Sequence, residues 1–247
     1  MKSILVWNIP LRIFHALFAF SAAGAFAIAV SVDHESAIFP LHMLLGLTAA
    51  ALLVARLAIS LAGERHHRLR DLFFPPVETG RYLFGSLAGK SERYVGHNPG
   101  TGMVAIVMYI LVPLLVWTGI AMGRGVEAAE DAHELLANIL LGAMMLHLLG
   151  IALHTVRHRE WIGLAMLTGR KRAGLEPAIP SSRPFAGLLL AVLVFVWCAT
   201  LFAKYDRAAR TVVLPVLGAT LQLGEAEGRD GESRPYARER RHDDDDD

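Results

Sequence analysis

The 247-residue sequence predicts an all-α integral membrane protein: a four-helix transmembrane bundle followed by a fifth, C-terminal transmembrane helix. Three observations predict it. Hydrophobic residues make up 54% of the chain, and the mean hydropathy is +0.42. Apolar residues gather into five runs, at about 11–32, 37–61, 102–123, 132–156 and 185–203, each near the ~20 residues that span a bilayer. Charge falls in blocks between the runs, yet histidines sit inside three of them. A net charge of only +1 gives no field for nucleic acid, so none is expected as a partner; the lipid bilayer is. With Cys198 the single cysteine, the chain has no internal disulfide, no Cys-x-x-Cys-His and no cysteine pair for zinc.

The first run opens with Trp7, Pro10 and Arg12. An interfacial Trp and a helix-starting Pro fit a retained, anchored helix. Lys2 and the small-residue stretch Ala25-Phe26-Ala27 also allow a cleavable signal peptide, but its removal would discard His15. Between the second and third runs lies a loop of turn signals (Pro75, Pro76, Gly80, Asn98, Pro99, Gly100) and amphipathic pieces such as 79–88, expected on the membrane surface. In the third run, Gly119 to Gly123 marks a candidate close-packing face. Segment 160–172, with Trp161, Ile162, Leu164, Met166 and Leu167 ahead of Arg170, Lys171 and Arg172, reads as a second surface-lying piece. The fifth run is the most uniformly apolar, and from 223 the chain turns polar and is expected to be disordered.

Orientation follows from the loops. Arg65, Arg68, Arg70, Arg81, Lys90 and Arg93 lie between runs two and three, and Arg157, Arg159, Arg170, Lys171, Arg172 and Arg183 between runs four and five. The opposite loops hold only Arg124, which places the N-terminus in the cytoplasm and the C-terminus outside. Lys204, Arg207 and Arg210 after the fifth run are the dissent.

Histidines inside spans are functional candidates because ionisable groups there are costly, and neutral imidazole is a metal-ligating form. His133 and His147 lie fourteen residues apart, which returns both rings to nearly one helix face about 21 Å apart. His42 sits near the outer start of the second run, and His15 near the cytoplasmic start of the first. Depth therefore pairs His42 with His133 outside and His15 with His147 inside, the layout for two bis-histidine haems stacked across a bilayer. Small neighbours one turn away, namely Ala19, Gly46, Ala137, Ala143 and Gly150, would leave room for flat macrocycles. His154, seven residues beyond His147, shares its face and is an alternative partner for His15; otherwise it bonds a propionate or lines a quinone pocket. His34, His66, His67, His97, His158 and His242 read as solvated loop or interface residues.

Several segments resemble the bacterial di-haem b-type cytochromes of the cytochrome b561 and nickel-iron hydrogenase b-subunit type. They are Val6-Trp7-Asn8-Ile9-Pro10-Leu11-Arg12-Ile13-Phe14-His15, Leu41-His42-Met43-Leu44-Leu45-Gly46, Ala55-Arg56-Leu57, Gly96-His97-Asn98-Pro99-Gly100, and His133-Glu134-Leu135-Leu136-Ala137-Asn138 running to Leu146-His147. The resemblance covers about residues 5–172. It implies a di-haem domain over 1–172, a fifth helix and flank over 173–222, and a tail over 223–247. It further implies two haem b groups held by His15, His42, His133 and His147, with electrons passing between the quinone pool and a periplasmic c-type cytochrome or hydrogenase. The setting implied is a bacterial inner membrane, and any enzymic role is that of an electron-transfer subunit. Arg56 would face a haem propionate, where a guanidinium binds carboxylate bidentately, or else snorkel to the interface; Arg12 is a second propionate candidate.

Two alternatives stand beside this reading. A stand-alone superoxide:quinone oxidoreductase would want a basic outer surface, whereas Asp33, Glu35, Glu127, Glu130 and Asp131 surround the lone Arg124 there. The other is a non-haem membrane protein, either an anchor or a histidine-based metal transporter; transport would want several acidic or thiol groups within the spans, and these hold only Glu134 and Cys198.

Overall fold

A computed structural model describes residues 3–61, 67–90, 93–172 and 177–223. The expected disorder of the tail from 224 on, and the loop positions Arg65 and His66, lie outside the described residues.

Among the described residues, five helices are long and apolar enough to cross a membrane: α1 (Ile9–Ser31), α2 (Pro40–Leu61), α4 (Pro99–Met122), α5 (Ala128–His158) and α7 (Pro184–Ala203). Local chemistry sets their starts. Asn8 caps α1 by accepting from the Leu11 N–H at 3.1 Å, and Asn98 caps α4 by accepting from the Thr101 N–H at 2.8 Å. Each is followed by prolines in the first turn, where a missing N–H costs nothing. At the far end of α5, Arg159 turns the chain with φ of 48°. α5 is six residues longer than the 132–156 expected, because Ala128 to Asp131 and Arg157 to His158 continue the helix beyond the apolar run.

The helices pack in a chain, α7 on α1, α1 on α2, α2 on α4 and α4 on α5. Neither α1 nor α2 makes a broad packed contact with α5, so a gap runs between α5 and that pair. Two apolar cores lie at different depths. Trp7, Leu11, Phe14, Phe18, Leu52, Leu53 and Val112 fill the inner one, and Leu44, Leu47, Leu201, Val212, Leu214, Leu221 and Leu223 the outer. α7 approaches α1 closely through Gly187, where any side chain would collide with Ile9.

The all-α expectation needs correcting by five short strands. β1 (Ser3–Leu5) pairs antiparallel with β2 (Arg170–Arg172), Ile4 opposite Lys171. The segment 160–172, expected to lie on the surface, is built of a 3-10 turn (Ile162–Leu164), a single turn α6 (Ala165–Thr168) and the strand β2. Trp161 and Leu167 remain exposed, as a membrane-surface segment requires. Past α7, the strands β3 (Tyr205–Asp206), β4 (Thr211–Val213) and β5 (Thr220–Gln222) form an antiparallel sheet capping the outer core. Val212, Leu214, Leu221 and Leu223 are its buried members, and the period-2 alternation that puts them inside identifies strands rather than a helical flank.

The loop between α2 and α4 folds back on the bundle's inner end through a 3-10 turn (Leu69–Leu72) and the amphipathic helix α3 (Pro76–Leu87), whose Val77 and Phe84 stay exposed. Gly102 of α4 lets the Leu72 backbone carbonyl approach where a side chain would block it.

Candidate functional site

Four histidines meet across the gap in two pairs. His42 on α2 faces His133 on α5 with ring centroids 6.1 Å apart, and His15 on α1 faces His147 on α5 at 6.3 Å. Both separations would admit a metal ion between the rings. Two metal–imidazole bonds of about 2 Å, with each ligating nitrogen about 1.1 Å from its ring centre, span roughly 6 Å. Among the described residues no three His, Cys, Asp or Glu side chains gather into a metal cage. Each pair thus offers two imidazoles that could ligate one iron from opposite sides, the donor set of an iron whose other positions a macrocycle would fill.

The outer pair is oriented by hydrogen bonds. His42 Nδ1 lies 2.9 Å from the Ala25 carbonyl, which can only accept, so Nδ1 carries the proton and Nε2 keeps its lone pair. His133 Nδ1 lies 2.9 Å from the Thr118 hydroxyl. Phe39 stacks on His42 with centroids 5.5 Å apart. Among the described residues, neither His15 nor His147 has a hydrogen-bonded ring nitrogen. Beside the pairs, a Cβ added at Gly46 or Gly150 would meet nothing within 4 Å, so both small neighbours border open space. Gly119, by contrast, lies under His133, and Gly123 against the Gln222 carbonyl, so the expected close-packing face of α4 is used inside the chain.

His154 is brought to neither pair. It is buried, its ring centroid lies 4.4 Å from that of His158, and its Nε2 has no hydrogen-bond partner. Arg56 is 1% exposed and donates from Nη1 to the His67 carbonyl at 2.9 Å. Its Nε is buried without a partner, an orphan donor that a carboxylate would satisfy. Half-buried Arg12 donates from Nε to the Met166 carbonyl at 3.2 Å, tying α1 to α6.

Three of the histidines read as solvated are not. His67 is 1% exposed, lies 3.4 Å from the Asn8 backbone N–H and 3.3 Å from its side-chain nitrogen, and its ring lies beside Trp7. His97 is half-buried, with its ring centroid 4.8 Å from that of Trp7. His158 is half-buried against His154. His34 alone among those described is exposed, as expected. Nothing in the local sequence of His67, which follows a charged block, signals burial; the signal is Asn8 sixty residues away.

The family model for prokaryotic cytochrome b561 matches residues 6–169. The chain belongs to the prokaryotic cytochrome b561 family. It is accordingly a multi-pass membrane protein of an electron-transferring, haem b-binding family. Comparison with curated proteins and with solved structures returns no match. The cytochrome b561 match spans α1 to α6 and stops short of α7 and the outer sheet.

Proposed function

We propose that this cytochrome b561 relative is a two-haem relay that carries electrons across a bacterial inner membrane, between the quinone pool and a periplasmic redox protein such as a c-type cytochrome or a hydrogenase. The carrying observation is the pair of 6.1 and 6.3 Å ring separations, facing across one gap. His42 and His133 hold the outer haem b, and His15 and His147 the inner one. When bound, the haems would supply reversible one-electron chemistry, and with two imidazoles on each they would offer no open ligand site to substrate. The chain's own residues fix the ligand rings, exclude water with the two apolar cores, and place the groups about 21 Å apart along α5.

Around the inner site, Arg56 and Arg12 bind propionates and His154 lines the quinone pocket. The buried, unpartnered Arg56 Nε and His154 Nε2 support those assignments. The N-terminus is cytoplasmic, since the basic loops flank the inner ends of the helices. Residues 1–172 form the haem-holding unit, and α7 with its sheet closes the outer end.

The test is a reduced-minus-oxidised spectrum with a pyridine haemochrome count on the wild type and on His15→Ala, His42→Ala, His133→Ala, His147→Ala and His154→Ala. Two b haems per chain are expected, one lost in each of the first four variants and none in the last. A haem-free wild type would sink the relay, and loss with His154 but not His147 would reassign the inner ligand.

A further inference from the structure

α4 contributes no histidine to either pair, yet it touches the outer one. Thr118 is 2% exposed at the centre of that contact. Its Oγ1 lies 3.0 Å from the Leu114 carbonyl, 3.1 Å from the Leu115 carbonyl and 2.9 Å from His133 Nδ1. A hydroxyl has one proton, and here two helix carbonyls compete for it. Thr118 therefore accepts from His133 Nδ1–H while donating back into its own helix. Together with the Leu115 carbonyl, which also accepts from the His133 ring, that fixes the His133 tautomer with the proton on Nδ1 and Nε2 unprotonated. Gly119, next in sequence, leaves the ring its seat: an added Cβ would lie 3.5 Å from His133 Cε1.

We infer that Thr118 is a positioning residue that sets the tautomer and basicity of His133, and thereby tunes the outer haem separately from the inner one. This rests on the relay reading above. An imidazole whose N–H is bonded to an acceptor donates more strongly through its other nitrogen, which favours the oxidised metal. At the outer site both rings are held this way, His42 by the Ala25 carbonyl and His133 by Thr118. At the inner site, among the described residues, neither ring is. The asymmetry contributes a difference between the two potentials, lowering the outer one, from a residue on a helix that ligates neither. Thr118 has no acidic or basic character and no motif around it, so its role is visible only once α4 and α5 are packed.

A potentiometric titration of the full-length protein in detergent, with a haemochrome count and low-temperature EPR, tests the inference on wild type, Thr118→Val and Thr118→Ser. The outer wave is identified by its loss in His133→Ala. In Thr118→Val the outer wave is expected to move to more positive potential, with altered ferric g-values and an unmoved inner wave; Thr118→Ser restores both. If Thr118→Val sheds the outer haem, its retention at wild-type potential in Thr118→Ser supports the role, and its loss there overturns it. Two haems with an unmoved outer wave in Thr118→Val, or equal movement of both waves, overturn the inference and leave the relay standing. A wild type without two haems overturns both.

Discussion

Arg56 keeps a full charge at 1% exposure, an arrangement that costs several kcal/mol unless each donor is met. One donor is met by the His67 carbonyl, and Tyr109 lies close enough to interact with the same guanidinium. Replacing Arg56 with Met should therefore cost about 1.5–3 kcal/mol for the lost charged hydrogen bond. A thermal melt in detergent reads this as a lower midpoint, and an unchanged midpoint would remove Arg56 from the structural core. The four histidines were legible in sequence because helical spacing alone puts 133 and 147 on one face, and depth supplies 42 and 15. Arg56 follows the same arithmetic, fourteen residues after His42, so it too lies on that face about 21 Å further in. His67, Asn8 and Thr118 were not legible, since each acts through a partner brought near by tertiary packing.

At the scale of elements, the inner end is held by a polar clamp. Glu160, just past α5, accepts from the Arg172 backbone N–H at 2.9 Å through one oxygen, and pairs with Arg93 Nη2 at 3.0 Å through the other. Lys171 donates to the Tyr94 and Val95 carbonyls at 3.1 and 2.8 Å, so β2 is stitched to the segment preceding α4. Burial alone pushes the Glu160 carboxyl up, yet the Arg172 N–H and the Arg93 guanidinium together hold it below its ordinary value. A carboxyl depressed in the folded state contributes stability that is full above its unfolded value, near 4.3, and is lost as pH falls through the folded one. The melting difference between wild type and Glu160→Gln should thus be constant above about pH 5 and shrink below it. A pH-independent difference would mean the clamp works by shape and not by charge. Sequence reading saw only a basic amphipathic segment here, because a three-residue strand carries too short a pattern to detect. The outer sheet was within reach: Thr211 to Leu214 and Ala219 to Leu223 alternate around Pro215 and Gly218, a hairpin signal masked by the transmembrane helix before it.

Across the whole molecule, the five spans could be read from composition, but the gap beside α5 could not, because it depends on which helices decline to pack. On the proposed relay, that gap is where the order of electron flow is set. Among the described helices α5 alone carries a ligand candidate at both depths, and α1 and α2 supply one each, so the two sites share a rigid strut and differ in their second helix. If the quinone is met at the inner end, electrons from a quinol must pass the inner site before reaching the outer one. His147→Ala would empty the inner site while leaving His42, His133, Ala25 and Thr118 in place. The outer haem of that variant should still be reduced by dithionite, with an unshifted spectrum, yet quinol-driven reduction, followed by stopped-flow absorbance, should collapse. His133→Ala gives the opposite signature, with rapid quinol reduction of the inner haem and no transfer to an external acceptor. Undiminished quinol reduction of the outer haem in His147→Ala would place the quinone at the outer end, beneath the sheet formed by β3 to β5, and reverse the direction of the relay.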